Sequence, residues 1–275
     1  MFNDKIITRS VLLASVIALA AIGCQKEKRP VLGDYPKDTN PPGGPLKFYA
    51  AYENTNVDSI RANFGTDNNI TYVPGISGQA FQGGADGYIV YPSANDFKKS
   101  SSFTVSFWMK KNGPNPAGAG TSFAFGLATS KDIWTKMDMF LEFEDAGNPS
   151  TADLAAAKFY LRDQWYEYVQ ANRLPNVLNN QWHHLVFSFD GTTSMLKFYI
   201  DAVEFTAVPG KFNNDGGTPD FSQSGGIVVG GAGHYALGKT PDDWMGNFKG
   251  DIDQFRLYGE ALSAAQVTEL FNSKK

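Results

Sequence analysis

The chain has 275 residues, and its 24 basic and 28 acidic side chains give a formal net charge of -4 at neutral pH. This mild, dispersed acidity argues against nucleic acid as a partner, because such partners are bound by basic patches. Cys24 is the single cysteine, so an intramolecular disulfide is excluded and a hydrophobic core must stabilise the fold. The length is sufficient for one large all-β domain.

The N-terminal residues indicate export. Two basic residues precede an apolar run at 11–22, which is shorter than the roughly 20 residues that span a bilayer and is typical of a signal peptide. The sequence Ala-Ile-Gly at 21–23, directly before Cys24, resembles a bacterial lipobox. This resemblance implies that residues 1–23 are a lipoprotein signal peptide and that Cys24 is lipidated. An ordinary cleaved signal with a free thiol is the alternative.

Residues 24–45 combine charge, proline and glycine without apolar periodicity. This composition predicts a flexible, extended tether between an anchor and a folded domain. The sequence Gln-Lys-Glu at 25–27 resembles surface-export signals of Bacteroidetes lipoproteins, although those are usually more acidic. Together these segments predict an outer-membrane lipoprotein of a Gram-negative bacterium, exposed at the cell surface and bound to the membrane through its lipid alone.

From Leu46 onward, short apolar or alternating segments are separated by turns rich in glycine, asparagine and proline. Strands are predicted at 46–52, 87–91, 103–111, 123–129, 137–143, 157–162, 183–190, 196–201, 226–230 and 247–258. This pattern predicts an all-β fold, a two-sheet antiparallel jelly-roll β-sandwich with a short C-terminal helix. Ser263 is the predicted N-cap of that helix and Gln266 its reciprocal partner, followed by an apolar stripe at Val267, Leu270 and Phe271.

Three separated motifs then match a known family. Residues 78–92 with 103–110, residues 181–191 with 196–201, and the terminal strand and helix resemble concanavalin A-like lectin/glucanase domains of the laminin-G-like (LamG type 3) jelly-roll kind. The resemblance runs from Leu46 to about Phe271 and implies one such domain at 46–275. The chain departs from the family after the strand ending at Asp201, where members usually carry glycine and this chain has Ala202.

Two acids in the last predicted strand indicate either a metal site or a hydrogen-bonded contact that holds the strand in place. Asp251 and Asp253 face the same side of that strand, and a carboxylate within an apolar strand is costly unless it is paired or bound to a cation. Pairing with Arg256, Lys249 or backbone amides is the alternative to metal binding.

The resemblance implies one structural Ca²⁺ on the convex face of the sandwich. Carried over by motif, Asp253 supplies the side-chain ligand and Gly83 a backbone carbonyl. Glu53, where the first predicted strand ends, is a further candidate ligand. Hard cations of this kind prefer oxygen ligands, many of them from glycine-rich turns.

The sequence assigns no catalytic residue. A retaining glycoside hydrolase needs two carboxyl groups roughly 5–5.5 Å apart, and laminarinase-type enzymes carry them in a Glu-x-Asp-x-x-Glu strand. Glu142 and Glu144 fit the first two positions and are predicted to share a face, but Gly147 stands at the third. Glu167 is a more distant acid that no sequence pattern brings opposite Glu142. A glycoside hydrolase of laminarinase-like fold remains an alternative function.

Loop aromatics favour carbohydrate binding, because sugars stack their apolar faces on exposed rings. The candidates are Trp165 and Tyr166 in an insertion at 163–170, Trp244 in an insertion at 234–245, and Trp134 in a third loop. Trp165 and Trp244 are favoured, and packing over the end of the sandwich is the alternative for each. The predicted partner is therefore a glycan or polysaccharide. Since laminin-G-type domains also bind proteins, an adhesion module is a further alternative.

Overall fold

A computed structural model describes residues 43–116, 118–213 and 217–274. The predicted signal peptide, Cys24 and most of the predicted tether lie outside these residues. The described chain is a sandwich of two large, mostly antiparallel sheets with one short helix near its C-terminal end, so the predicted fold class is confirmed. No helix in this part of the chain is long and apolar enough to span a membrane.

The first strands in chain order are β1 (Leu46–Ala50), β2 (Val57–Asp58), β3 (Asn63–Phe64), β4 (Thr66–Asn68), β5 (Thr71–Pro74), β6 (Gln79–Gln82), β7 (Tyr88–Tyr91), β8 (Phe103–Asn112), β9 (Thr121–Thr129) and β10 (Met137–Phe143). They are followed by β11 (Leu154–Ala155), β12 (Ala157–Leu161), β13 (Gln164–Tyr168), β14 (Leu174–Pro175), β15 (Asn179–Asp190), β16 (Met195–Ile200), β17 (Val203–Glu204), β18 (Ser224–Val229), β19 (Met245–Asn247) and β20 (Asp251–Tyr258). The helix α1 is Ala264–Ser273, and short 3₁₀ helices occupy Asn95–Lys99, Gln170–Asn172 and Gly233–Leu237.

Neighbouring strands in both sheets are often far apart in the sequence. The first sheet has the order β17-β16-β15-β8-β20-β1-β2-β3, and β6 joins it by pairing with β20 and β5. The second sheet has the order β13-β12-β10-β9-β18-β7-β4, with β19 parallel to β9. Such crossovers between two packed sheets are typical of jelly rolls.

The main core lies between the sheets and is rich in aromatic rings. Phe187 on β15 stacks on Phe159 of the opposite sheet with ring centroids 4.2 Å apart, and on its cross-strand neighbour Phe198 on β16 at 4.3 Å. All three residues are buried. Large rings remove much apolar surface from water, so burial of these side chains stabilises the sandwich.

Helix α1 covers the outer face of the first sheet. Gln266 donates its N–H to the Ser263 hydroxyl, and the Gln266 side chain accepts the N–H of Ser263 at 2.9 Å, which confirms the predicted capping box. Val267 is buried against the sheet, and Phe271 stacks on Trp108 with centroids 5.4 Å apart. Trp108 is therefore buried under the helix, on the outer face of the first sheet.

The segment predicted as a loop insertion at 163–170 is largely a strand. Its residues 164–168 form β13, which pairs with β12 across a tight turn where Arg162 and Asp163 both have positive φ, 46° and 68°. Successive side chains of a strand point to opposite faces. Trp165 consequently lies on the outer face of the second sheet, and Tyr166 points into the main core, where it is 1% exposed.

Candidate functional site

Three predicted tryptophans meet on the outer face of the second sheet. Trp134 precedes β10, Trp165 lies on β13 and Trp244 directly precedes β19. The ring centroid of Trp134 is 6.2 Å from that of Trp165 and 6.3 Å from that of Trp244. Trp134 is 59% exposed and Trp244 37%, whereas Trp165 is half-buried. We call these three residues the tryptophan surface.

Tyr166 does not belong to this surface, contrary to the sequence prediction. Its ring contacts Phe159 in the main core, and burial raises the pKa of its hydroxyl. The error follows from reading residues 163–170 as a loop, in which neighbouring aromatics could face the same way. In a strand, Trp165 and Tyr166 must face opposite sides.

A layer of buried rings supports the tryptophan surface. Phe140 on β10 stacks on its cross-strand partner Tyr160 on β12 at 4.8 Å, and Tyr160 is in turn opposite Trp165 on β13. The Trp165 ring packs edge-on against Tyr160 at 5.0 Å, and the Trp244 ring lies 5.8 Å from Phe123 on β9. Trp165 and Trp244 are therefore partly packed, as the alternative interpretation held, while part of each ring remains on the surface.

The turn before Trp165 is held by buried polar contacts. Asp138, which has no exposed surface, forms an ion pair with Arg162 in the turn and accepts a hydrogen bond from Ser224 at 2.6 Å. The next turn residue, Asp163, accepts a hydrogen bond from the Tyr160 hydroxyl at 2.8 Å. These contacts hold Trp165 in place before any ligand arrives, which reduces the entropy cost of binding.

A charged row lies beside the aromatic row on the same face. Glu142 on β10, Lys158 on β12 and Glu167 on β13 occupy matched register positions. The Lys158 ammonium is 2.5 Å from Asp145 Oδ2, 3.5 Å from Glu167 Oε1 and 5.8 Å from the centroid of Trp165. The structure thus brings Glu167 onto the same row as Glu142, which no sequence pattern indicated.

Glu142 is a buried acid in this row. It is 2% exposed, and its Oε2 atom has no hydrogen-bond partner among the described residues. Burial raises the pKa of Glu142 to about 8, while Lys158 opposes the rise and the Asp145 and Glu167 carboxylates add to it. Glu142 is therefore protonated at neutral pH. Its Oε2 atom is buried beneath the surface.

Glu144 has a different role from Glu142. It lies beyond the end of β10 with a φ of 77°, and its carboxylate accepts the backbone N–H groups of Asn115 at 2.9 Å and Ser150 at 3.3 Å. It therefore ties together the loops that follow β8 and β10.

A pocket of about 450 Å³ adjoins the tryptophan surface. It lies between the loops that follow β8 and β10, and Trp244 forms part of its wall. Other lining residues include Asn115, Gly120, Thr121, Glu144 and Asp145. Because Trp244 belongs to both features, the pocket and the tryptophan surface are continuous.

Two predicted metal ligands meet at the turn formed by residues 75–78. Asp253 Oδ2 accepts the N–H of Ile76 at 2.9 Å, and Glu53 Oε2 accepts the N–H of Gln79 at 2.9 Å. A Cβ atom at Gly75 would collide with the Asp253 carboxylate, and one at Gly78 with that of Glu53. The absence of side chains at these glycines lets both carboxylates approach the turn closely.

Gly83 is not part of this cluster. It lies just after β6, four residues beyond Gln79 and therefore roughly 13 Å along the strand direction, and its N–H bonds to the carbonyl of Gly250. Asp251 is also not part of the cluster, because its carboxylate forms an ion pair with Lys110 at 3.0 Å.

The Asp253 carboxyl group retains unused bonding capacity. It has no exposed surface, and its Oδ1 atom lacks a hydrogen-bond partner within the described chain. Burial raises the pKa of Asp253 to about 7. No group of three or more His, Cys, Asp or Glu residues that could hold a metal occurs among the described residues. A cation here would need backbone carbonyls to supplement two carboxylates, a donor set that Ca²⁺ accepts.

Comparison with known proteins agrees with this architecture. A family profile described as the concanavalin A-like lectin/glucanases superfamily matches residues 82–268. None of the curated proteins compared matches the chain.

Solved structures with similar folds include domain 4 of AbnA, a GH43 extracellular arabinanase from Geobacillus stearothermophilus, in complex with arabinotriose. It is 22% identical, with a TM-score of 0.54 over 82% of this chain and 98% of that one. A structure of botulinum neurotoxin type C, whose cell entry depends on interaction with two ganglioside molecules, is 12% identical with a TM-score of 0.54 over 84% of this chain and 51% of that one. The binding domain of Paraclostridial Mosquitocidal Protein 1 is 17% identical, with a TM-score of 0.54 over 83% and 52%. This chain spans about half of each toxin chain, and identities this low show the fold alone.

Proposed function

Because the chain belongs to the concanavalin A-like lectin/glucanase superfamily, we propose that it is a carbohydrate-binding domain that holds glycan on the tryptophan surface. The proposal rests on one observation, that Trp134, Trp165 and Trp244 come from three separate segments and meet on one exposed face. Sugar rings pack their apolar faces on such indoles. The adjacent Lys158 and Glu167 can bond the sugar hydroxyl groups.

Two further observations support this function. Trp134 leaves 59% of its surface exposed, so core packing does not account for its position. The similar arabinanase domain was solved with arabinotriose, and the similar neurotoxin interacts with gangliosides. Domains of this fold therefore include carbohydrate binders of unrelated sequence, which makes a glycan the ligand class to test first.

A glycan array tests the proposal with matched variants. We expect the wild type to bind a defined set of glycans, and Trp165→Ala or Trp244→Ala to lose most of that binding. Trp182→Ala is the control, since Trp182 is a half-buried tryptophan on the first sheet. Binding that survives in both surface variants would remove the site assignment. If the wild type binds no glycan, a protein-binding adhesion module becomes the better explanation.

One observation favours the hydrolase alternative. Glu142 is protonated at neutral pH, as the acid that protonates a leaving group must be. Its burial opposes this role, because the carboxyl group would have to become exposed before touching a glycosidic oxygen. Release of reducing sugar that is abolished by Glu142→Gln would establish an enzyme, whereas binding without release supports the carbohydrate-binding domain.

We also propose that one structural Ca²⁺ binds beside the turn at 75–78, with Asp253 and Glu53 as its side-chain ligands. The unpartnered Asp253 Oδ1 atom and the close approach of both carboxylates to the turn support this site. The ion would neutralise the charge of the two carboxylates and join the last strand to the turn.

The N-terminal sequence supports a proposal for the location of the protein. We propose that residues 1–23 direct export and that a lipid on Cys24 anchors the domain to the outer membrane, with the domain at the cell surface. We expect the wild type to incorporate labelled palmitate and Cys24→Ser to lose that label. We also expect protease added to intact cells to digest the domain. A wild-type chain that takes up no label would exclude the lipid anchor.

A further inference from the structure

The tryptophan surface is wider than a single sugar. Trp165 lies on β13, and Trp244 contacts Phe123 on β9, three strands away in the sheet. At about 4.8 Å per strand, the strands beneath the surface span roughly 14 Å. Trp134 bridges the two ends, with centroid distances of 6.2 and 6.3 Å. A monosaccharide can contact only part of this surface, so its width fits several linked sugar units.

The surface continues into the pocket at Trp244. The pocket's volume of about 450 Å³ lies within the range of roughly 300–1,000 Å³ that is usual for small-molecule sites. A ligand that lies across the indoles can therefore place one end in the pocket without leaving the aromatic surface. The pocket and the tryptophan surface are separate features that share Trp244.

The polar groups of the pocket favour uncharged sugars. Of the described residues that line it, the two charged ones, Glu144 and Asp145, are both acids. The Glu144 oxygens accept two backbone N–H groups, which leaves lone pairs free to accept sugar hydroxyls. The carboxylate of a uronic acid would be repelled by Glu144, whereas the charge of Asp145 is already paired with the Lys158 ammonium.

We infer, on the basis of the proposed function, that the site takes a linear chain of several neutral sugars. Interior units of the chain lie on the tryptophan surface, and one end lies in the pocket beside Trp244. The ligand class is thus a neutral oligosaccharide or polysaccharide chain, bound along its length, rather than a single terminal sugar.

This inference is tested by calorimetric titration of the purified chain. The ligands are series of neutral arabino-, xylo- and gluco-oligosaccharides, each from disaccharide to hexasaccharide. The blocking variant is Ala146→Trp, because Ala146 is an exposed residue at the pocket rim. Ala265→Trp, at an exposed position on α1, is the matched control. Melting temperatures verify that both variants fold.

For at least one neutral series, we expect the affinity of the wild type to rise about tenfold or more with chain length before it levels off. Ala146→Trp should abolish the gain that the longer chains show, while Ala265→Trp should match the wild type at every chain length. Binding that is independent of length, a gain that survives in Ala146→Trp, or tighter binding of a galacturonate series would each overturn the inference. Those results leave the carbohydrate-binding proposal standing, whereas a wild type that binds no member of these series and no arrayed glycan overturns both.

Discussion

Replacing Glu142 by Gln should change how the stability of the domain depends on pH. Glu142 is 2% exposed, and burial raises the pKa of its carboxyl group from 4.5 to about 8. The charged groups that face it are Lys158 on β12, Glu167 on β13 and Asp145 in the following loop. Gln has nearly the same shape but carries no titratable proton, so the variant isolates the contribution of ionisation.

The sign follows from the raised pKa. The folded state holds this proton more tightly than the unfolded state, so the stabilisation is complete below pH 4.5 and is lost as the pH rises to about 8. One pKa unit corresponds to about 1.36 kcal/mol. A rise from 4.5 to about 8 therefore corresponds to a loss of about 5 kcal/mol in the free energy of unfolding. Glu142→Gln should not show this loss.

Urea denaturation at a series of pH values measures the difference. We expect wild type and Glu142→Gln to be similar in stability near pH 4.5, and the variant to become the more stable protein as the pH approaches 9. Glu167→Gln is the control, because the side chain of Glu167 is 53% exposed and should have little effect. Parallel stability curves for wild type and Glu142→Gln would refute the argument that Glu142 is a buried, protonated acid.

Three further predictions concern the scaffold. We expect EDTA to lower the melting temperature of the wild type by removing the proposed Ca²⁺, and to leave that of Asp253→Asn unchanged because this variant lacks a ligand. An unchanged wild-type melting temperature contradicts the proposed site. Ala202 has a φ of 65°, a conformation that costs a residue with a Cβ about 1 kcal/mol. Ala202→Gly should therefore raise the free energy of unfolding in urea by about that amount, and a decrease would show that the methyl group packs usefully. Ser263→Ala should lower the free energy of unfolding by about 1 kcal/mol through loss of the N-cap, whereas Ser263→Thr should keep most of the stabilisation by the cap. Equal losses in both variants would contradict a capping role.

Strands with one polar and one apolar face, and the helix with its cap, could be predicted from the sequence. The strand β10 occupies the predicted residues 137–143, and the Ser263–Gln266 capping box forms as expected. Both are local features. The alternation of side chains and the spacing of a cap depend on neighbours within a few residues, so a single sequence carries the necessary information.

Strand β13 was missed because its alternation is concealed. Tyr166 and Tyr168 enter the main core, but Trp165 on the opposite face packs on a second layer of aromatic rings. A strand that contacts apolar neighbours on both faces loses the polar–apolar contrast by which strands are recognised. The same strand misassignment placed Tyr166 beside Trp165 as a ligand-binding residue. Short edge strands such as β2 and β3, two residues each, have too few positions to show a period.

The composition of the candidate site depends on sheet order, which local patterns do not encode. Trp134 and Trp244 are separated by more than a hundred residues, and they meet because β9, β10 and β19 are neighbours in the second sheet. The two sheets also differ in what covers them. Helix α1 lies over the outer face of the first sheet and buries Trp108 there. On the second sheet, Trp134 and Trp244 keep much of their surface in contact with solvent. Because exposed surface contributes little to folding, core packing does not account for the 59% exposed Trp134, and the Arg162–Asp138 ion pair fixes only the turn that precedes Trp165.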